Sequence, residues 1–325
     1  MIIKMLNRNI ILFGLALSLF SCTRQSDCSD IHEKEDGNVY FLNEDSPYSG
    51  SCSSNLYGIS KEVKYKDGKI NGKYITKNKE GQILYEDNFV NGFHEGKSKI
   101  WYENGVLSEE KNYVNGKKEG EAKTFYPSSN KKSLSNYKND KKDGVCKEWY
   151  ESGKIKSERN YVDGLEHGVW LVWYENGKKQ EEGKCYHGDR VNVWETWYES
   201  GKKESEGCYK NNMKSGKWIV WHENDNIKQE GAYSNGKKEG KWITWFDNKQ
   251  QKVVCDYSEG KKDGKFIQFY RNGNKKAEGE FQKGLKEGTF YVWNKNGKKK
   301  TIIYKNGMVD SENAEDQDTS EIPIF

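Results

Sequence analysis

"GKKEGKWITWFDNKQQKVVCDYSEGKKDG" runs from Gly236 to Gly264 and contains two turn signals and two short runs of strand formers. "KWITWFD" is aromatic and β-branched, a turn region follows at Asn248 and Lys249, and "QQKVVCDYS" leads into a second turn at "EGKKDG". Two strands and a tip between them make a β-hairpin. The segment ends on the turn with which it begins, so the chain leaves one hairpin ready to start another.

Working outward, the glycine that closes "GKKEG" recurs at Gly72, Gly96, Gly120, Gly144, Gly168, Gly216, Gly240, Gly264 and Gly288, each 24 residues from the last or, across Asn192, twice 24. A second glycine keeps the same period at Gly81, Gly105, Gly153, Gly177, Gly201, Gly273 and Gly297, with Ser129, Asp225 and Lys249 in the gaps. Loop insertions are cheap in ordinary domains, so a period held without insertion implies units stacked in register. The expected fold is all-β: an elongated, single-layer, twisted ribbon of about ten tandem antiparallel hairpins, roughly 95 Å long at about 4.8 Å per strand. The tips, mostly "ENG" or "ESG", are expected to be two-residue turns with positive φ.

Units such as "GVWLVWYENGKKQEEGKCYHGD" resemble the bacterial variant form of the MORN repeat, and the resemblance covers Gly50 to about Gly307. It implies a repeat scaffold, a role that the family combines with many functions, among them membrane-associated recognition and proteins labelled as antitoxins. A repeat class does not select among those functions.

The hairpin pattern predicts that the residue two after each closing glycine pairs with the residue fifteen after it. Trp170, Trp194 and Trp218 then face Gly183, Gly207 and Gly231, Phe266 faces Gly279, Trp242 faces Cys255, and the small Ser98 and Cys146 face Lys111 and Arg159. A ring over an opposing glycine fills a pleated surface. One face therefore carries Trp170, Trp194, Trp218 and Trp242 with Tyr113, Tyr137, Tyr161, Tyr209, Tyr233 and Tyr257 as an aromatic core. The other carries Trp101, Phe125, Trp149, Trp173, Trp197, Trp221, Trp245, Phe269 and Trp293. Two readings of this second ladder stand side by side: rings covering a thin sheet, or a binding stripe with a charged rim. Its most apolar stretch is the candidate binding face: Leu171, Trp173, Trp197, Ile219, Trp221, Ile243, Trp245, Ile267 and Phe269.

The ends of the chain read differently. Lys4 and Arg8 precede an apolar run from Ile10 to Phe20, the layout of an export signal over residues 1–21. The run ends "LFSC", which resembles a bacterial lipobox and makes Cys22 the lipidation candidate, although Phe20 stands where a small residue is usual. Expected next are a polar tether at 22–38, the repeat domain at 39–307 and an acidic tail at 308–325, either frayed or pinned to the last strand by "IPIF". Export permits disulfides. Cys28 and Cys52 are compatible with either a bridge or two free thiols, whereas Cys146, Cys185, Cys208 and Cys255 fall in different units, too far apart to pair.

Composition and motifs narrow the function. The 54 basic and 50 acidic residues nearly cancel and 14% of the chain is aromatic, which opposes disorder. Glutamates accompany the lysines in almost every unit, so there is no basic stripe for nucleic acid. "GKKEGKW" lacks the serine or threonine and the helix of a phosphate-binding loop. The histidines His32, His94, His167, His187 and His222 occupy different repeat phases without metal-ligand spacing. No nucleophile–base arrangement is evident. The expectation is a non-enzyme without metal or cofactor, anchored to a bacterial envelope membrane by lipid and contacting a protein or glycan partner. Recognition of lipid headgroups and an immunity or antitoxin role are the alternatives.

Overall fold

The structure is a computed structural model and describes residues 25–310. Cys22 and residues 311–325 lie outside that span. Among the described residues the only helical element is one 3-10 turn, Cys28–Asp30; nearly everything else that is regular is strand. The chain divides into two compact units, residues 1–93 and 94–325.

In the first unit, Gly50–Leu56, Ile59–Lys66, Lys69–Lys77 and Ile83–Val90 form an antiparallel sheet in chain order. The stretch expected to be a tether is built into this sheet from residue 25 onward. Gln25–Asp27 adds a parallel strand against Gly50–Leu56, and Cys28 is disulfide-bonded to Cys52. Ile31–Glu33 pairs with Val39–Phe41. Tyr48, 2% exposed, sets the local core: its hydroxyl donates to the Ser51 carbonyl (2.9 Å) and its ring meets Tyr65 edge-on. The polar composition of 25–38 hid this, because the covalent bridge and backbone pairing hold the segment where apolar burial could not.

The second unit is a succession of antiparallel hairpins from Gly96–Trp101 to Lys299–Lys305, closed by the short strand Met308–Val309. Each strand pairs with its sequence neighbours, so all contacts are local, as in a stacked repeat. The predicted register holds: Trp170 pairs with Gly183, Trp194 with Gly207, Trp218 with Gly231, Trp242 with Cys255, Phe266 with Gly279, Ser98 with Lys111 and Cys146 with Arg159.

The turns exchange the roles expected of them. At the "ENG" tip the Gly177 amide donates to Tyr174 O (2.9 Å) and the Tyr174 amide donates to Lys178 O (2.9 Å), with positive φ at Gly177 only (88°). This is a type I turn with a glycine bulge, and the register shifts there between Val172 and Trp173. The two-residue turns with two positive φ values are the connections between hairpins, for example Asp163 (51°) with Gly164 (86°) and Asn235 (48°) with Gly236 (78°). An asparagine amid a tip can instead spend its side chain on the turn: Asn176 Oδ1 accepts from the Lys178 amide at 2.9 Å.

The glycine that closes "GKKEG" also has positive φ, 67° at Gly240 and 104° at Gly264, and lies where the pairing with the preceding strand is interrupted, as between Glu230 and Ala232. Asn192 takes the same conformation (61°) in the unit that lacks the glycine. The 24-residue period is thus a period of left-handed backbone sites.

The ring over each strand glycine comes from the following hairpin, not from the partner within its own. A Cβ on Gly183 would lie 2.2 Å from the Trp194 ring, one on Gly207 2.1 Å from Trp218, one on Gly231 2.2 Å from Trp242 and one on Gly279 2.6 Å from Phe290. Each ring leans back across the seam between hairpins. The glycines therefore lock unit to unit, which the pairing inside a hairpin could not reveal.

Candidate functional site

On the first face the rings interleave along the unit: Trp194 with Tyr209 (6.0 Å), Tyr209 with Trp218 (5.2 Å), Trp218 with Tyr233 (6.0 Å), Tyr233 with Trp242 (4.9 Å), all edge-to-face. Trp194, Trp218 and Trp242 are buried to 2%, 5% and 3% exposure, and Phe266, Cys255, Ala277 and Phe290 continue the core. A single-layer sheet has no second layer to bury these rings. Lysine stems supply it. Nζ of Lys214 lies 4.2 Å from the Trp218 centroid, Lys238 4.1 Å from Trp242, Lys262 5.0 Å from Phe266 and Lys286 5.4 Å from Phe290, and the Arg190 guanidinium lies 4.2 Å from Trp194. Burial holds Lys214 and Lys238 below the ordinary lysine range, and at Lys238 the charges of Lys214 and Lys262 add to the effect.

"GKKEG" is therefore a connection in which nearly every residue has a task. Its second lysine covers the rings and offers its carbonyl to the next connection, as when the Gly260 amide donates to Lys238 O (3.0 Å). Its glutamate accepts from the same connection: Glu239 Oε2 from the Glu259 amide (3.0 Å), Glu119 Oε2 from the Asn139 amide (2.9 Å). The sequence carries the signal for this role as a cation at one fixed phase, 118, 142, 190, 214, 238, 262 and 286, more regular than solubility requires.

The second face holds all nine candidate residues, and all nine are half-buried. Cross-strand pairing sets Leu171, Ile219, Ile243 and Ile267 in one row across consecutive strands: Leu171, Glu182, Glu195, Glu206, Ile219, Glu230, Ile243, Val254, Ile267, Glu278, Tyr291. The row is not the continuous apolar stripe that the first strands of each hairpin suggest, because the returning strands contribute glutamates. Glu182, Glu195 and Glu206 stand directly opposite one another, an arrangement that costs stability unless neutralised. Lys203 Nζ bridges Glu195 (2.5 Å) and Glu206 (2.6 Å), and Lys179 pairs with Glu182. Burial disfavours the Lys203 charge, yet those two carboxylates outweigh it and raise its pKa.

Trp173, Trp197, Trp221, Trp245 and Phe269 lie beside this row near the hairpin tips. Lys179 Nζ is 4.9 Å from the Trp197 centroid and Lys203 5.7 Å from Trp221, whereas Ile227 and Gln251 occupy that phase before Trp245 and Phe269. The backbone of this ladder is pinned from the preceding tip. Tyr150 OH donates to Trp173 O (2.8 Å), Tyr174 OH to Trp197 O (2.8 Å) and Tyr198 OH to Trp221 O (2.7 Å), and His222 Nε2 is 3.0 Å from Trp245 O. Asparagines add a parallel set, including Asn224 Nδ2 to Asp247 O (2.7 Å). The tyrosine after Trp149, Trp173 and Trp197 is thus a structural tie, legible in the sequence as the recurrent "WYE" before the tip, and His222 takes its place after Trp221.

A family model described as "MORN repeat variant" matches residues 95–115, 118–139, 142–163, 166–187, 190–211, 214–235 and 262–283. The chain belongs to the MORN repeat variant family. Its MORN repeats thus occupy the second unit in tandem, and each match begins within a connection and ends at the next. No curated protein matches the chain. Among solved structures, the MORN chain is similar to those of TcdB2-TccC3-Cdc42 (10% identity, 82% of this chain and 16% of that chain, TM-score 0.18) and TcdB2-TccC3 (10%, 82%, 16%, 0.17). It spans about a sixth of their length, and at such scores the likeness carries no argument.

The chemistry available to the MORN unit is that of a surface. Among the described residues no group of three or more His, Cys, Asp or Glu could hold a metal ion. Cys185 and Cys255, which burial pushes up to about 11, are poor thiolate sources near neutral pH.

Proposed function

We propose that this MORN-repeat protein is a non-enzymatic scaffold, lipid-anchored through Cys22 at a bacterial envelope membrane, that holds a protein or glycan partner on the face from Leu171 to Phe269. The observation that carries this reading is the row from Leu171 to Tyr291, in which half-buried aliphatic side chains are interspersed with partly exposed glutamates beside a line of indole rings. Apolar surface supplies affinity, and carboxylates select a partner that presents donors, either glycan hydroxyls or basic side chains. Earlier in the unit the same row carries Lys99, Lys123 and Lys147, with Lys99 3.7 Å from Glu110 and Lys147 2.9 Å from Glu158, so charge is matched internally there.

That contrast supplies the test. Lysine is accommodated in this fold at the repeat position of Ile219, Ile243 and Ile267, so Ile219→Lys, Ile243→Lys and Ile267→Lys together should leave the circular dichroism spectrum and urea midpoint near those of the parent. Secreted protein carrying Cys22→Ala should capture a partner from envelope extracts, and the triple variant should not. Equal capture by both would remove the face from the proposal. Labelled palmitate that still enters Cys22→Ala protein would remove the anchor.

A further inference from the structure

The first face changes character in its last two hairpins. Earlier, the ring that leans on a glycine of the preceding hairpin is an indole: Trp218 on Gly207 and Trp242 on Gly231. Each indole also donates its Nε1–H to a backbone carbonyl, Trp218 to Cys208 O (3.1 Å) and Trp242 to Ala232 O (3.0 Å). Gly279 offers the same seat, but Phe290 occupies it. A phenyl ring is smaller than an indole and has no N–H, so it fills less of that seat. The surrounding positions are trimmed as well. Phe281 stands at the phase of Tyr209, Tyr233 and Tyr257 without their hydroxyl, and Ala277 stands at the phase of Val253. The space left over is a cavity of about 130 Å³ whose lining includes Phe266, Ala277, Phe281, Phe290 and Ile302, all but Phe281 buried. An apolar cavity of about 150 Å³ holds one benzene ring, so this one is on the scale of a single aromatic ring.

Two cations line the same cavity, and no acidic residue does. Lys262 Nζ lies 4.8 Å from the Phe281 centroid, and Lys286 Nζ lies 4.6 Å from the Tyr304 centroid and donates to Tyr304 OH at 3.3 Å. Neither lysine is in an ion pair among the described residues. A ring-sized apolar space flanked by ammonium groups that lack a counter-charge is complementary to an aromatic ring that carries a carboxylate.

We propose that this cavity binds a monocyclic arenecarboxylate, with the ring among Phe266, Phe281 and Phe290 and the carboxylate toward Lys262 and Lys286. The phenyl rings there already pack edge-to-face, Phe266 with Phe281 at 5.3 Å and Phe281 with Phe290 at 5.6 Å, and a bound ring extends that packing. The flexible lysine stems let either ammonium follow the carboxylate. The site lies on the face opposite the row from Leu171 to Tyr291, so it does not depend on the partner proposed there.

The test titrates the full chain against para-fluorobenzoate and its neutral counterpart para-fluorobenzyl alcohol, both read by fluorine NMR line broadening. The carboxylate should bind with a Kd on the order of 1 mM, as expected of a ligand with about ten non-hydrogen atoms, and about tenfold more tightly than the alcohol. Phe290→Trp places the indole of the earlier hairpins over Gly279 and fills the cavity, and Ala277→Val fills it with the residue of the preceding hairpin. Both substitutions follow the repeat, so each variant should keep the circular dichroism spectrum of the parent and bind para-fluorobenzoate at least about tenfold more weakly. Lys262→Met with Lys286→Met keeps an unbranched stem over the rings and should lower the affinity for the carboxylate to that for the alcohol. Three results overturn the proposal: no binding of para-fluorobenzoate by the parent, equal affinity of the parent for the two probes, or undiminished binding by a folded variant whose cavity is filled.

Discussion

Gly231→Ala isolates the contact that locks one hairpin to the next. Gly231 does not have a left-handed backbone, so alanine is conformationally welcome there, and restricting the unfolded chain would by itself stabilise by about 0.4–1 kcal/mol. The added Cβ, however, would lie 2.2 Å and 2.3 Å from two atoms of the Trp242 ring, where contact between carbons is near 3.5–4.0 Å, so the ring must retreat by more than about 1 Å. Trp242 is 3% exposed, is edge-on to Tyr233 at 4.9 Å, lies beneath Lys238 at 4.1 Å and donates Nε1–H to Ala232 O at 3.0 Å. Overpacking costs about 1–3 kcal/mol and a strained hydrogen bond about 1 kcal/mol, so the net effect should be a loss of about 1–3 kcal/mol. Urea unfolding followed by far-ultraviolet circular dichroism measures it. The control is the same substitution in a Trp242→Ala background, where the ring is gone and Gly231→Ala should be neutral or stabilising. If Gly231→Ala costs the same in both backgrounds, the ring is not the cause and the seam between hairpins is held otherwise.

Lys249 occupies the tip position that is glycine in most units, at φ 69°, so Lys249→Gly should raise the thermal midpoint through a gain of about 1 kcal/mol; an unchanged midpoint would contradict the strain. Phe246 stands where most units have the tyrosine that ties the tip to the next tryptophan, so Phe246→Tyr should add a bond to the Phe269 carbonyl worth about 1 kcal/mol, read from the urea midpoint. The Cys28–Cys52 bridge closes a separation of 24 residues, and reducing it should cost the first unit about 3 kcal/mol while hydrogen exchange in residues 94–310 stays unchanged. The Cys255 thiol is raised from 9.0 to about 11, so between those pH values the folded chain keeps a proton that the unfolded chain has lost. Stability should therefore fall as pH rises from 9.0 to about 11, and the fall should be shallower in Cys255→Ala; identical slopes would refute the assignment.

The architecture was legible because a 24-residue period of glycines specifies left-handed backbone sites, and such sites, once regular, permit only stacked hairpins. The same pattern yielded the register and the two ring ladders, since side chains alternate in a strand whatever lies around it. Other features depended on contacts that cross from unit to unit, which no single period displays. Trp242 rests on Gly231 and not on its own partner Cys255; Lys238, one of many lysines by composition, proves to be a roof over rings; and Glu182, Glu195 and Glu206 become neighbours only when returning strands are laid beside one another. The segment at 25–38 was hidden for a related reason: a disulfide and a parallel strand can order a polar stretch that carries no hydrophobic signal. Sequence periodicity determined which way each side chain points, because that is a property of local backbone geometry. Tertiary structure decided what each side chain meets there, because seam packing and charge pairing arise between residues brought together by stacking.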